Sequence, residues 1–193
     1  MLEYLNQLDH RLFLAIHHWR NGLLDEVMPW VTNRWVWIPL YALLLVFVWR
    51  RFGKQTIMIA LTVAALILAS DQSANLLKNN VCRPRPCYDA QLAGQVITPL
   101  GCGGNYGFVS GHAANSFAIA LFLWLLSGPQ KGFPVTRRRG WWLLLFPWMI
   151  IVWWSRIYVG VHFPFDLLCG GLIGAAWAVL IYILYRKVVP VLR

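Results

Sequence analysis

The chain has 193 residues, 59% hydrophobic, with 12 Trp and only 12% charged residues, at a mean hydropathy of +0.56. No water-soluble domain of this size has that balance, so the apolar runs predict one all-α domain over 1–193, a polytopic transmembrane bundle. The net charge of +10 follows membrane orientation rather than nucleic-acid binding, because its cations gather in particular loops.

In chain order, the opening Met1-Leu2-Glu3-Tyr4 lacks the basic start of a cleavable signal peptide, so the first span is expected to direct insertion. Residues 4–20 place Leu5, Leu8, Leu12, Ile16 and Trp19 at helical spacing, with Asp9, His10, Arg11, His17 and His18 elsewhere around the helix. That pattern predicts an amphipathic helix lying on the membrane. Asn21-Gly22 ends it, and a second amphipathic stretch runs to Pro29, making 1–33 an interfacial segment. A sixth span here is the alternative, and His10, His17 and His18 are expected to be interfacial polar residues rather than metal ligands.

Five spans are predicted at 35–49, 55–72, 112–127, 141–156 and 164–185. Between the second and third lies a long polar outer loop, 73–111. Arg50, Arg51, Lys54, Lys131, Arg137, Arg138, Arg139, Arg186, Lys187 and Arg193 fall on one side, ten of the 17 Lys and Arg with none of the seven Asp and Glu. That side is therefore expected to be cytoplasmic. Lys78, Arg83, Arg85 and Arg156 are left on the outer side, where the same rule disfavours them. Gly170, Gly171 and Gly174 in the last span are expected to admit a close helix.

Three polar clusters sit at the outer ends of spans. Lys78 is followed by Arg83, Arg85 and Pro86; Ser110-Gly111-His112 opens the third span; Ser155-Arg156 precedes His162 and Asp166. Ser110 is a natural N-cap, and a helix N-terminus offers N–H groups and a positive dipole to an anion. Pro164 suits the first helical position, which puts Asp166 at the third, able to reach back toward His162. A carboxylate holding one ring N–H leaves the other nitrogen as a lone-pair donor. Together the clusters offer the cations Lys78, Arg85 and Arg156, two histidines, an orienting carboxylate and a helix N-terminus, which matches the needs of phosphoryl transfer.

Lys78-x6-Arg85-Pro86, Ser110-Gly111-His112 and Ser155-Arg156-x5-His162-x3-Asp166 resemble the three-part signature of the type 2 phosphatidic acid phosphatase superfamily, the lipid phosphate phosphatases. By that resemblance His162 is the nucleophile, Asp166 orients it, and His112 protonates the leaving oxygen and later activates water. Lys78, Arg85, Ser110, Gly111 and Arg156 would hold the phosphate, with no metal and no cofactor. Two departures stand out: Val109 replaces the Pro usual before Ser-Gly-His, and five spans are read where six are common.

Asp71, Asn75 and Lys78 recur on one helical face, so Asp71 and Asn75 are expected to position Lys78. Cys87 and Cys102 flank the variable part of the outer loop and are the expected disulfide, with Cys82 the rival partner and Cys169 a packed thiol. The expected protein is a bacterial inner-membrane phosphatase whose site faces the periplasm or exterior, acting on undecaprenyl diphosphate. Phosphatidylglycerol phosphate, phosphatidate and lipid A 1-phosphate are the rival substrates. A non-enzymatic lipid-phosphate binder or transporter is the reading of a different class, distinguished by His162 and Asp166, which recognition alone does not require.

Overall fold

Apolar periodicity and capping residues divide the described chain into seven α-helices: α1 (Leu2–His17), α2 (Gly22–Val31), α3 (Ile38–Phe52), α4 (Thr56–Val81), α5 (Gly111–Leu126), α6 (Thr136–Tyr158) and α7 (Pro164–Val188). The structure is a computed structural model that describes residues 1–128 and 136–188, with side chains throughout except Leu2 and 136–144. Lys131 and Arg193 lie outside the described residues, as do the side chains of Arg137, Arg138 and Arg139.

The helix ends have local causes. Asn21 caps α2 by accepting from Leu24 N–H at 2.9 Å. Cys82 closes α4 in a left-handed conformation, φ 51°, donating its N–H to Lys78 O. The helix therefore continues nine residues past the expected end of the second span, and the outer loop runs over 82–110 rather than 73–111. Polarity at 73–81 does not unwind α4.

α5 and α7 form the centre of the bundle and pack most closely on each other, with α4 and α6 flanking them. Gly170 and Gly174 make that approach possible: a Cβ on Gly170 would stand 2.5 Å from Ser110 O, and one on Gly174 would collide with the Ala114 backbone. Leu66, Ala118, Phe122, Trp148, Val152 and Ala178 fill the core along the bundle. A second cluster, Phe13, Ala113, Ile157, Phe163 and Leu167, fastens α1 to one end.

That end corrects the expectation for the histidines of α1. Leu5, Leu12 and Trp19 are exposed and Leu8 and Ile16 half-buried, while Asp9, His10, Phe13 and His17 are buried against the bundle. Neither His10 nor His17 is a solvated interfacial residue. His10 Nε2 meets Asp89 Oδ2 at 2.9 Å, and His17 Nε2 accepts from Ile97 N–H at 2.9 Å with Nδ1–H toward Ile157 O. His18 is exposed, its Nε2 3.4 Å from Gln95 O.

Among the described residues, the stretch Arg34–Val81 and helix Pro164–Val188 are long and apolar enough to cross a membrane, and Gly111–Leu126 is a shorter apolar helix. This is fewer than the five or six spans expected from the sequence. α5 has only 16 residues, and the side chains opening α6 lie outside the description.

Candidate active site

A cavity of about 700 Å³ lies among α3, α4, α5 and α6. It is lined at one end by Lys78, Arg85, Gly111, His112, Arg156 and His162, and along its length by Leu44, Val48, Ile59, Val63, Ile67 and Leu123. Thr56 and Lys78, at opposite ends of α4, both line it. At 1.5 Å rise per residue the cavity follows that helix for about 33 Å, the thickness of a hydrocarbon layer.

Each cluster is placed by a helix end. Ser110 is fully buried behind the cavity as the N-cap of α5, its Oγ accepting from Ala113 N–H at 3.4 Å. Gly111 lies so close to α4 that a Cβ would stand 3.2 Å from Asp71 Oδ1. Pro164 begins α7, and Asp166 Oδ2 accepts from Phe163 N–H at 2.9 Å, closing the turn that carries His162. Asp166 Oδ2 is 3.5 Å from His162 Nδ1, a buried nitrogen that makes no hydrogen bond among the described residues. Gly160, at φ 76°, turns the chain between α6 and α7; a Cβ there would meet Val96 and Ile97 of the outer loop.

The cations are held from outside the three motifs. Arg156 Nη1 donates to Thr32 Oγ1 at 2.5 Å, so the segment after α2 braces it. Arg85 Nη1 donates to Cys102 O at 2.6 Å and Nε to Tyr106 O at 3.2 Å. Cys87 and Cys102 are joined in a disulfide that ties this part of the loop to the turn after Arg85; Cys82 and Cys169 are free. His162, in the loop before α7, has its pKa well below the ordinary histidine value, first through burial and then through the charges of Arg156, Arg85 and Lys78.

Asp71 Oδ2 accepts from Asn75 at 3.2 Å and Oδ1 from Asn115 at 3.4 Å, linking α4 to α5. Asp71 therefore meets Lys78 through its charge rather than through a hydrogen bond. Asp71, Asn75 and Lys78 all line the cavity.

Sequence reasoning missed Arg83 and Asp9. Arg83 Nη1 donates to Asp166 Oδ1 at 2.9 Å and Nη2 to Asp9 Oδ2 at 2.8 Å, and its guanidinium lies 4.2 Å from the centre of the Phe163 ring. A signal existed, since Arg83 was one of four cations that the charge rule disfavoured on the outer side. Thr32, which lies in no motif, carried none.

With this geometry described, the relatives can be compared. The family model described as PAP2 superfamily matches residues 56–190, which contain all three clusters. A lipid A 4'-phosphatase of Bacteroides thetaiotaomicron is 33% identical over 97% of this chain and 81% of its own length. The undecaprenyl-diphosphatase BcrC of Bacillus subtilis is 27% identical over 83% and 76%. The crystal structure of Aquifex aeolicus LpxE superposes with a TM-score of 0.63 at 27% identity, over 90% of this chain and 94% of that one. A PAP2-type phosphatidylglycerolphosphate phosphatase from Bacillus subtilis shares the fold, with a TM-score of 0.71 at 20% identity over 96% and 88%. The extent of the family match and the 33% identity over nearly the whole sequence place this chain in the PAP2 superfamily.

Proposed function

We propose that this membrane protein hydrolyses a lipid phosphate or diphosphate through a phosphohistidine at His162, without a metal ion. The observation that carries the reading is the cavity itself, which joins His112, His162, Lys78, Arg85 and Arg156 to an apolar length matched to a lipid tail. A soluble phosphate ester has no use for the second part.

His162 Nε2 attacks phosphorus in line as the bond to the leaving oxygen breaks. Lys78, Arg85, Arg156 and the N-terminus of α5 neutralise the equatorial oxygens, and His112 gives its proton to the leaving oxygen. His112, now neutral, takes a proton from water, which attacks the phosphohistidine and frees inorganic phosphate and the imidazole. Asp166 holds the Nδ1 proton throughout. The 3.5 Å between Asp166 Oδ2 and Nδ1 must shorten for that bond to form.

The lipid A 4'-phosphatase relative favours a phosphorylated glycolipid as the substrate. Undecaprenyl diphosphate, the expectation from sequence, is the second reading, favoured by the BcrC relative. Phosphate release by purified protein from lipid A, undecaprenyl diphosphate, phosphatidylglycerol phosphate and phosphatidate decides among them by kcat/KM. Activity should survive EDTA and fall with vanadate, which takes a five-coordinate geometry. Activity lost to EDTA and restored by Mg²⁺ refutes the metal-free mechanism.

The charge asymmetry supports an outward-facing site. In a Cys82→Ser, Cys169→Ser background, an impermeant thiol reagent on intact cells should label Gln91→Cys and spare Lys54→Cys. The reverse pattern moves the reaction to the cytoplasm.

A further inference from the structure

We infer that Arg83 is a positioning residue for the reaction, setting the orientation and charge of Asp166 and through it the nucleophilicity of His162. The inference rests on the function proposed above.

Asp166 has two oxygens with separate duties. Oδ2 faces Phe163 N–H and His162 Nδ1, at 2.9 and 3.5 Å; Oδ1 faces Arg83 Nη1 at 2.9 Å. A carboxylate fixed at only one oxygen can rotate about its χ2 torsion, which is broad. Arg83 removes that freedom. Its own fork is fixed in turn, because Nη2 donates to Asp9 Oδ2 at 2.8 Å and to Asn6 Oδ1 at 3.2 Å, and its carbonyl accepts from Gly107 N–H at 2.9 Å. Asp9 Oδ1 accepts from Phe165 N–H at 2.9 Å, so α1 and α7 are clamped on either side of the guanidinium.

Charge points the same way. Asp9 and Asp166 are both fully buried, and Arg83 is the cation that bridges them. Without it two carboxylates share one buried site, which drives one of them toward its neutral form. A protonated Asp166 holds His162 Nδ1–H weakly and does little for the positive charge that builds on the ring. A lysine cannot serve both carboxylates with the geometry of the fork.

A purely structural role, stapling α1 to the bundle, makes a different prediction, and Phe13→Ala supplies the comparison. It weakens the docking of α1 in the second cluster while removing none of the groups that Arg83 touches, which are Asn6, Asp9, Phe163 and Asp166. The test uses the full chain in detergent or nanodiscs, with kcat and KM on the preferred lipid and the pH profile of kcat/KM. Carbethoxylation of His162 by diethyl pyrocarbonate, read by mass spectrometry, needs no substrate.

Arg83→Met should lower kcat about 100-fold with KM within threefold of wild type, as a displaced catalytic group does. It should raise the acid limb of the profile by about one pH unit and slow His162 carbethoxylation. Arg83→Lys should recover about tenfold of the kcat loss by restoring the charge. Phe13→Ala should lower thermal stability and leave the pH profile and labelling rate unchanged. Folded Arg83→Met with wild-type kcat and labelling overturns the inference, as does a Phe13→Ala phenotype matching it. If Arg83→Met does not fold, the same shifts are read in Arg83→Lys, and their absence there overturns it. Wild-type protein inactive on every lipid phosphate defeats the proposed function instead, while the labelling arm still decides the role of Arg83.

Discussion

A single methyl group at Gly170 should disable the site without touching any side chain in it. The Cβ of Ala at this position would stand 2.5 Å from Ser110 O, 3.2 Å from Ala113 Cβ and 3.4 Å from Ala114 N. A relaxed carbon-to-oxygen contact needs about 3.3 Å, so α5 and α7 must part by roughly 0.8 Å at this level. The atom pushed belongs to the residue that caps α5 and donates its N–H to Asp166 O at 3.0 Å. Overpacking of this kind costs about 1–3 kcal/mol, and a misplacement near 1 Å can cost about 10²-fold in rate. Gly170→Ala should therefore lose about 10- to 100-fold in kcat and unfold at lower temperature. Gly171→Ala is the control: its Cβ meets the Trp153 ring and not the Ser110 backbone, so stability should fall with a much smaller loss of turnover. Phosphate release and thermal unfolding of both variants measure this, and Gly170→Ala with kcat within twofold of wild type would refute the reasoning.

Other expectations follow from the same geometry. Thr32→Val removes the oxygen that accepts from Arg156; the site should lose about tenfold in kcat/KM, consistent with 1–2 kcal/mol for one charged hydrogen bond, and unchanged kinetics would show that Arg156 needs no brace. Because His162 titrates below the ordinary histidine value, its imidazole stays neutral and nucleophilic under mildly acidic conditions, and the acid limb of kcat/KM, which reports free enzyme, should lie below about pH 6.5. The sign for stability agrees: below that pH the unfolded chain takes up a proton that folded His162 resists, so stability should fall with acidification in a denaturant series. Arg156→Gln removes one of the charges that depress it, and the limb should then move toward neutrality. Reduction of Cys87–Cys102, a link of 15 residues, should cost up to about 3 kcal/mol by chain entropy; an unchanged melting temperature after reduction argues that the loop is held by its other contacts.

What the sequence made legible was local. Pro164 and Asp166 could be placed because the geometry of a helix start relates residues two or three apart, and Ser110 for the same reason. Family membership was legible because three such local patterns recur in order. Contacts between distant segments were not. Arg83 meets Asp9 across 74 positions and Asp166 across 83, and no periodicity encodes such pairs. The N-terminal helix shows the limit most clearly. Its two stripes were both readable, but periodicity does not say which stripe faces protein, and the histidines expected at the membrane interface, His10 and His17, are instead buried against the bundle. Helix was legible as far as Lys78, from Asp71, Asn75 and Lys78 on one face, but its end at Val81 was not, because Asn79 and Asn80 are as polar as a loop while their N–H groups still bond within the helix.

The position of the family match has a consequence for how such a protein can diverge. Residues 56–190 hold His112, His162, Lys78, Arg85 and Arg156, the groups proposed to act on phosphate. The opposite wall of the cavity, with Thr32, Arg34, Trp35, Trp37, Tyr41 and Leu44, comes from the segment before residue 56. The reaction and the shape of the space beside it are thus written in separate stretches of one chain. Exchange of the first 55 residues between relatives could retune which lipid is accepted while the phosphoryl chemistry is inherited, provided that equivalents of Asp9 and Thr32 travel with them to meet Arg83 and Arg156.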